Sequence, residues 1–341
     1  MSEPLAATIP LAGPAPGAAS RAPVLEARNL GLHLRQSGRE LKIVDDISFT
    51  IAPGEFFALI GESGSGKTMI ARAVMRLLPS RKLRIAGRLA IEGIDVATAP
   101  EREMEKLRGR RVSMIFQEPM SSLNPIMTVQ EQLDEALCVH GLYTRAERRE
   151  RIAQILADVR FADPRQVAAM YPHELSGGMR QRAMIAMALC NDPTLLIADE
   201  PTTALDVTIQ REIMEILFRL RERYNLSVLF ISHDLALVYR YADTIGVLYG
   251  GVLMEQGPIR QVIETPTHPY TAALLACMPR YRAAGERQAG IEGNVPRVDD
   301  WFTGCRFAPR CPRRQEVCTH GEVALAPVRP GQAARCLFPL T

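Results

Sequence analysis

Three short stretches of this chain carry residues whose types and spacing can do chemistry. The first is GESGSGKT, Gly61 to Thr68. Its glycines, Gly61, Gly64 and Gly66, let a backbone turn its N–H groups inward around phosphate, with Ser63 and Ser65 filling the loop between them. Lys67 is spaced to reach β- and γ-phosphates, and the Thr68 hydroxyl to take Mg²⁺. The second is TLLIADEP, Thr194 to Pro201, an apolar run ending in two carboxylates. Asp199 suits a water-mediated hold on Mg²⁺, and Glu200 can polarise an attacking water. Alone, Asp-Glu after an apolar run is also an ordinary loop start; downstream of a phosphate loop the nucleotide reading wins. The third is the quartet Cys305, Cys311, Cys318 and Cys336, spaced C-x5-C-x6-C-x17-C. Zinc sites usually have tighter cysteine pairs, and the spacing fits neither ferredoxin pattern, so coordination chemistry leaves zinc and iron–sulfur both open.

These residues need elements to hold them. FFALIG (Phe56 to Gly61) is an apolar strand feeding the glycine loop, and TMIARAVMRLL (Thr68 to Leu78) has helical spacing after it. VSMIFQ (Val112 to Gln117), TLLIADE and SVLFIS (Ser227 to Ser232) read as further buried strands. Residues 128–170 read as mainly helical, MRQRAMIAMALC and TIQREIMEILFRLRERY as helices, and IGVLYGGVLMEQG as a hairpin turning at Gly250-Gly251. Strands alternating with helices predict an α/β fold around a largely parallel sheet.

At 341 residues the chain has room for one large domain and a smaller one. A net charge of +3 is too mild to make nucleic acid the main partner. No apolar run is long enough to span a bilayer. The opening MSEPLAATIPLAGPAPGAAS lacks a basic start and is broken by Pro10, Pro14 and Pro16, which predicts a disordered Ala/Pro tail over residues 1–22 rather than an export signal. The expected compartment is then the reducing cytosol, where disulfides are disfavoured. After Gly257 proline, arginine and cysteine rise, which sets the expected domains at 23–258 and 259–341. Cys138, Cys190 and Cys277, in apolar helical contexts, are expected to pack as small hydrophobes.

LSGGMRQR, Leu175 to Arg182, closely resembles the signature of ABC transporter ATP-binding domains. The flanking motifs agree in order: FQEP (Phe116 to Pro119) is similar to the Q-loop, ALDV (Ala204 to Val207) to the D-loop, and ISHD (Ile231 to Asp234) to the switch-histidine segment. The resemblance implies a P-loop ABC-type nucleotide-binding domain with a helical signature subdomain, using ATP and Mg²⁺. It implies that Ser176, Gly177 and Gly178 close on nucleotide held by a partner subunit, and that Asp206 shapes that contact. His233 would touch the γ-phosphate and orient Glu200, and Gln117 would sense Mg²⁺ and the attacking water. One departure is plain: between Val24 and Ser48 there is no Phe, Tyr or Trp to stack on adenine, and by position Leu34, with His33 nearby, is the expected replacement. Base selectivity is therefore expected to be loose.

THPYTAALLACMP (Thr267 to Pro279) and the GCRFAPRCP stretch resemble the C-terminal region of ATPase subunits of oligopeptide and dipeptide importers. That branch implies two membrane-spanning permease subunits, a second ATP-binding subunit of a different homologous chain, an extracytoplasmic solute-binding protein, and a peripheral place on the cytoplasmic face of the inner membrane. Nickel and glutathione importers share the plan; a soluble ABC ATPase outside transport is the rival from another class. The resemblance also implies a [4Fe–4S] cluster at the cysteine quartet, with Zn²⁺ as the alternative. Arg306, Arg310, Arg313 and Arg314 would offset its negative charge, or else form a solvated basic surface.

Overall fold

The computed structural model describes residues 22–36, 38–117, 122–203, 205–277, 290–301 and 303–341. The tail expected over 1–22 lies outside the described residues except for its last position, as do Glu118, Pro119 and Ala204 of the Q-loop and D-loop segments.

Two sheets build the structure. β1 (Leu25–Gln36), β2 (Arg39–Ile51), β4 (Leu83–Ile91) and β5 (Ile94–Asp95) form an antiparallel sheet in the order β2-β1-β4-β5. The second contains β3 (Phe56–Ile60), β6 (Val112–Ile115), β7 (Leu195–Asp199), β8 (Ser227–Ser232), β9 (Thr244–Tyr249), β10 (Val252–Pro258), β11 (Ala326–Arg329) and β12 (Gln332–Ala334), in the order β11-β12-β10-β9-β3-β8-β7-β6. From β9 to β6 every neighbouring pair is parallel. β3, β6, β7 and β8 are buried along their whole length, as expected of strands covered on both faces. Alternation along β3 sends Phe56, Ala58 and Ile60 to one core and Phe57 and Leu59 to the other.

Parallel pairing decides where the chemistry gathers. Ile60 pairs with Ser232, Asp199 with Ile231, and Ile115 with Ala198. The C-terminal ends of β3, β6, β7 and β8 therefore share one edge, where ligands of open α/β sheets bind. The glycine loop, Gln117, Asp199, Glu200 and His233 all leave the sheet there.

Between β6 and β7 the chain forms helices Val129–Cys138, Arg145–Asp158, Pro164–Ala169 and Gly177–Leu189. The first two are started by Thr-x-x-Glu capping boxes, Thr128 with Glu131 and Thr144 with Glu147. The helix after the glycine loop runs Lys67–Val74, shorter than its apolar spacing predicts, because Arg76 takes a left-handed φ of 50°. The hairpin at Gly250-Gly251 forms as expected, β9 pairing antiparallel with β10.

The segment after Pro258 continues the same core. Helices Ile259–Glu264 and Pro269–Ala276 bury Ile259, Val262, Ile263, Tyr270 and Leu275 in the cluster that holds Tyr249. β12 then pairs with β10, Glu255 opposite Ala334, so the C-terminal strands extend the central sheet. Glu255 is fully buried, and its carboxylate accepts bonds from Thr267 N, His268 N and Gln332 Nε2 at 2.7, 3.0 and 2.7 Å.

Candidate active site

The glycine loop follows β3 and leads directly into helix Lys67–Val74, whose N-cap is Gly66 without any side-chain cap. Its first N–H groups therefore stay available to an anion at the positive end of the helix. Two of its glycines are sterically required. A Cβ on Gly61 would lie 2.0 Å from the Leu248 carbonyl, and one on Gly66, at φ 103°, 2.9 Å from Val44 Cγ2. Lys67 is buried, and its Nζ donates to the Gly61 and Glu62 carbonyls at 2.7 and 3.1 Å. Burial lowers its pKa, and the Glu200, Asp199 and Glu62 carboxylates push the other way.

Thr68 Oγ1 donates to Asp199 Oδ1 at 3.2 Å, which brings together the two groups expected at Mg²⁺. Asp199 is buried at the end of β7, and burial raises its pKa against the Thr68 bond. A buried carboxylate bonded to a hydroxyl offers the oxygen ligands that a divalent cation takes. Glu200 turns away at φ 47°, a strained region for a residue with a Cβ. Its Oε2 accepts from Gln117 Nε2 at 3.3 Å and Thr203 Oγ1 at 3.0 Å, and lies 3.4 Å from His233 Nδ1. Lys67, Thr68, Asp199, Gln117, Glu200 and His233 thus form one cluster at the sheet edge. Thr203, within the same DEPTT run, was not singled out from sequence, because threonine after a carboxylate carries no signal of its own.

The remaining expected residues stand apart. Ser176 caps helix Gly177–Leu189, its Oγ accepting from Met179 N at 3.3 Å, and both Ser176 and Gly177 are exposed. Gly178 is buried, and a Cβ there would come within 3.0 Å of Ile209, so this glycine permits close packing against helix Val207–Tyr224. Asp206 is exposed and caps that helix through Ile209 N at 2.9 Å. Leu34 sits half-buried on β1 opposite Leu41 and Leu83, while sheet residues that do approach the loop include Val44, at Gly66, and Leu248, at Gly61.

Cys305, Cys311, Cys318 and Cys336 line one cavity, together with His268, Phe307, Arg313 and Phe338. Burial, with Cys336 and Cys311 nearby, pushes the Cys305 thiol up to about 11, and burial also raises Cys311 and Cys336. Among the described residues no three His, Cys, Asp or Glu side chains stand at the spacing of a metal-ion centre. Of the four arginines expected around the quartet, Arg313 lines the cavity and Arg314 is exposed. Arg306 and Arg310 turn elsewhere, Arg306 to the Gly250 carbonyl at 3.2 Å and Arg310 to Glu62 at 3.0 Å. Cys190 is buried as expected and Cys277 partly so, but Cys138 is exposed. Helix Val129–Cys138 buries Val129, Gln132, Leu133 and Leu137, and Cys138 falls off that stripe.

Comparison with known proteins agrees with this geometry. Residues 44–203 match the family model described as ABC transporter, and residues 254–318 the one described as oligopeptide/dipeptide transporter, C-terminal region. A peptide import ATP-binding protein of Brucella melitensis is 42% identical over 92% of this chain and 95% of its own length. Another, of Brucella ovis, is 43% identical over 93% and 98%. Among solved structures, a dimeric ATP-binding cassette in a post-hydrolysis state with ADP and Pi aligns with a TM-score of 0.61 and 27% identity, over 69% of this chain and 99% of that one. The cbiO1 component of a Clostridium perfringens ABC transporter complex shares the fold, with a TM-score of 0.61 at 22% identity over 72% and 92%. Among the described residues no helix is long and apolar enough to cross a membrane.

Proposed function

Because this chain belongs to the ABC transporter ATP-binding subunits, in their oligopeptide/dipeptide branch, we propose that it is the motor of a di- or oligopeptide importer. ATP hydrolysis, dimerisation of cassettes and work on membrane permease partners come with the family. The peptide cargo is favoured over nickel or glutathione by the relatives, whose names specify peptide import. The partners we assign are two permease subunits, a second and different ATP-binding subunit, and an extracytoplasmic solute-binding protein, with this chain on the cytoplasmic face. Ile126, Val139 and Leu142, apolar and exposed in the helical insert, are the residues we assign to contact with a permease.

The observation that carries the mechanism is the convergence of Gln117, Thr203 and His233 on one carboxylate oxygen of Glu200. The glycine loop and Lys67 would hold the phosphates, and Thr68 and Asp199 would hold Mg²⁺, which would screen phosphate charge. Glu200, fixed by its three neighbours, orients water in line with the γ-phosphate and accepts its proton. Exposed Ser176, Gly177 and Asp206 are available to the nucleotide and surface of a second cassette. Leu34 is assigned to the base. Glu200→Gln should leave ATP binding intact and reduce turnover by about 10²-fold or more; turnover within twofold of the original would remove Glu200 from this role.

We assign the cysteine quartet to a [4Fe–4S] cluster, with Zn²⁺ as the alternative ligand. Support comes from four thiols lining one cavity, with Cys305, Cys311 and Cys336 pushed up first by burial and then by neighbouring thiols of the quartet. Such crowding is relieved when cationic metal takes the sulfurs as thiolates. Iron and sulfide assays on anaerobically prepared protein distinguish the two; a zinc-loaded, colourless chain would replace the cluster with zinc.

A further inference from the structure

In sequence the cysteine quartet stands far from the phosphate loop, but three of its members carry a neighbouring arginine that reaches into the ATP-binding core. The Arg310 side chain, beside Cys311, is only 5% exposed, and its Nη1 donates to both carboxylate oxygens of Glu62, the loop's second residue, at 3.1 and 3.0 Å. The same guanidinium is braced on the Glu292 and Ile291 carbonyls at 2.8 and 2.7 Å and on Tyr249 Oη at 3.2 Å. Arg306, beside Cys305, donates to the Gly250 carbonyl at 3.2 Å, and Gly251 N donates to the Ser65 carbonyl at 3.1 Å. Arg335, beside Cys336, donates to the Leu253 carbonyl at 3.0 Å and to Asp46 at 2.9 Å.

Glu62 is held at three points. Its N–H donates to Tyr270 Oη at 3.2 Å, its carboxylate meets Arg310, and its carbonyl accepts from Lys67 at 3.1 Å. The Tyr270 ring lies 5.2 Å from that of Phe307, which lines the cysteine cavity. Two physical routes thus join the cavity wall to the loop that must wrap phosphate. One runs through Cys311, Arg310 and Glu62, the other through Phe307, Tyr270 and Glu62.

We propose that Arg310 and Tyr270 are positioning residues of the phosphate loop, and that through them the filling of the cysteine site sets nucleotide affinity. The second half rests on the reading that the four cysteines hold a metal group. Ordering Cys311 around metal fixes Arg310, and Arg310 fixes Glu62 and the backbone that Lys67 shares. Coupling between two sites is reciprocal, so bound nucleotide must slow metal loss by the factor that metal tightens nucleotide.

The test uses the full chain prepared anaerobically, with iron, zinc and sulfide measured first. Fluorescent ATP-analogue affinity is then titrated on loaded and chelator-stripped protein. Stripping should weaken affinity about fivefold or more, and saturating ATP should slow iron or zinc release to chelator by a matching factor. In Arg310→Gln, which cannot meet both oxygens as a cation, binding should be weaker and the gap between loaded and stripped protein should narrow to what the Tyr270 route carries, while Arg310→Lys recovers part of the affinity. Tyr270→Phe deletes one hydroxyl only and should weaken binding severalfold in a chain with unchanged melting. Unaltered affinity in both Arg310→Gln and Tyr270→Phe overturns the positioning role. Metal release indifferent to ATP overturns the coupling. A chain that takes up no metal removes the cysteine-site reading and the coupling with it, while the two variants still decide the positioning role.

Discussion

Glu200 sits at φ 47°, and that strain has a measurable size. A residue with a Cβ loses about 1–2 kcal/mol in the left-handed region relative to glycine. Part of any gain from glycine is offset by the greater freedom of the unfolded chain, about 0.4–1 kcal/mol. Glu200→Gly should therefore be more stable than Glu200→Ala by roughly 0.5–1 kcal/mol, up to about fivefold in the folding equilibrium. The comparison with alanine matters because both variants lose the contacts to Gln117, Thr203 and His233 equally. The difference then isolates the backbone. Urea unfolding followed by circular dichroism, run on the two variants in parallel, measures it, and both should have lost ATP hydrolysis. A glycine variant no more stable than the alanine one would show that Glu200 is not strained in solution. The claim that the fold holds its catalytic carboxylate at an energetic cost would fall with it.

Thr203→Val removes a hydroxyl 3.0 Å from Glu200 Oε2, and a hydrogen bond to a charged group is worth about 1.5–3 kcal/mol. Turnover should fall roughly ten- to hundredfold with the ATP KM unchanged; a steady-state kcat within twofold of the original would count against it. Leu34→Tyr supplies the missing ring and should tighten ATP about fivefold in an equilibrium titration and sharpen the preference for ATP over GTP. No change in either would mean that residue 34 does not meet the base. Burial pushes the Cys190 thiol up to about 12, so at pH 8 only about one molecule in 10⁴ carries its thiolate. Mass spectrometry after iodoacetamide at that pH should find exposed Cys138 labelled and Cys190 untouched until denaturant is added.

The gathering of the glycine loop, Gln117, Asp199, Glu200 and His233 at one sheet edge follows from sequence signals that are local. An apolar run of Phe56 to Ile60 has one stable use, a buried strand, and glycine at 61, 64 and 66 has one use after such a strand. Parallel pairing then does the rest, since strands that run the same way must end at the same edge. Less local features were not legible. Cys138 lies in an apolar neighbourhood, and only the orientation of its helix shows that it faces outward. Gly178 belongs to a phosphate-binding motif by sequence, while its close approach to Ile209 shows a packing duty as well.

The arginines beside the cysteines show where local reading stops. Next to four thiols, Arg306 and Arg310 suggest charge balance for whatever the thiols hold. Their true partners lie 56 and 248 positions away, and no periodicity reports a contact of that range. It is created by strand order. β12 pairs with β10, β10 with β9, and β9 with β3, so the C-terminal segment is carried across the sheet to the strand that feeds the glycine loop. Glu62 has no reason to be paired within its own loop, where Lys67 takes its carbonyl rather than its carboxylate. A buried guanidinium costs free energy unless charge meets it, and Glu62 is that charge for Arg310. Once the topology brings the two together, the partly exposed Glu62 carboxylate accounts for the buried Arg310 side chain. The cysteine segment is then part of the wall that shapes the ATP site rather than a tail attached behind it.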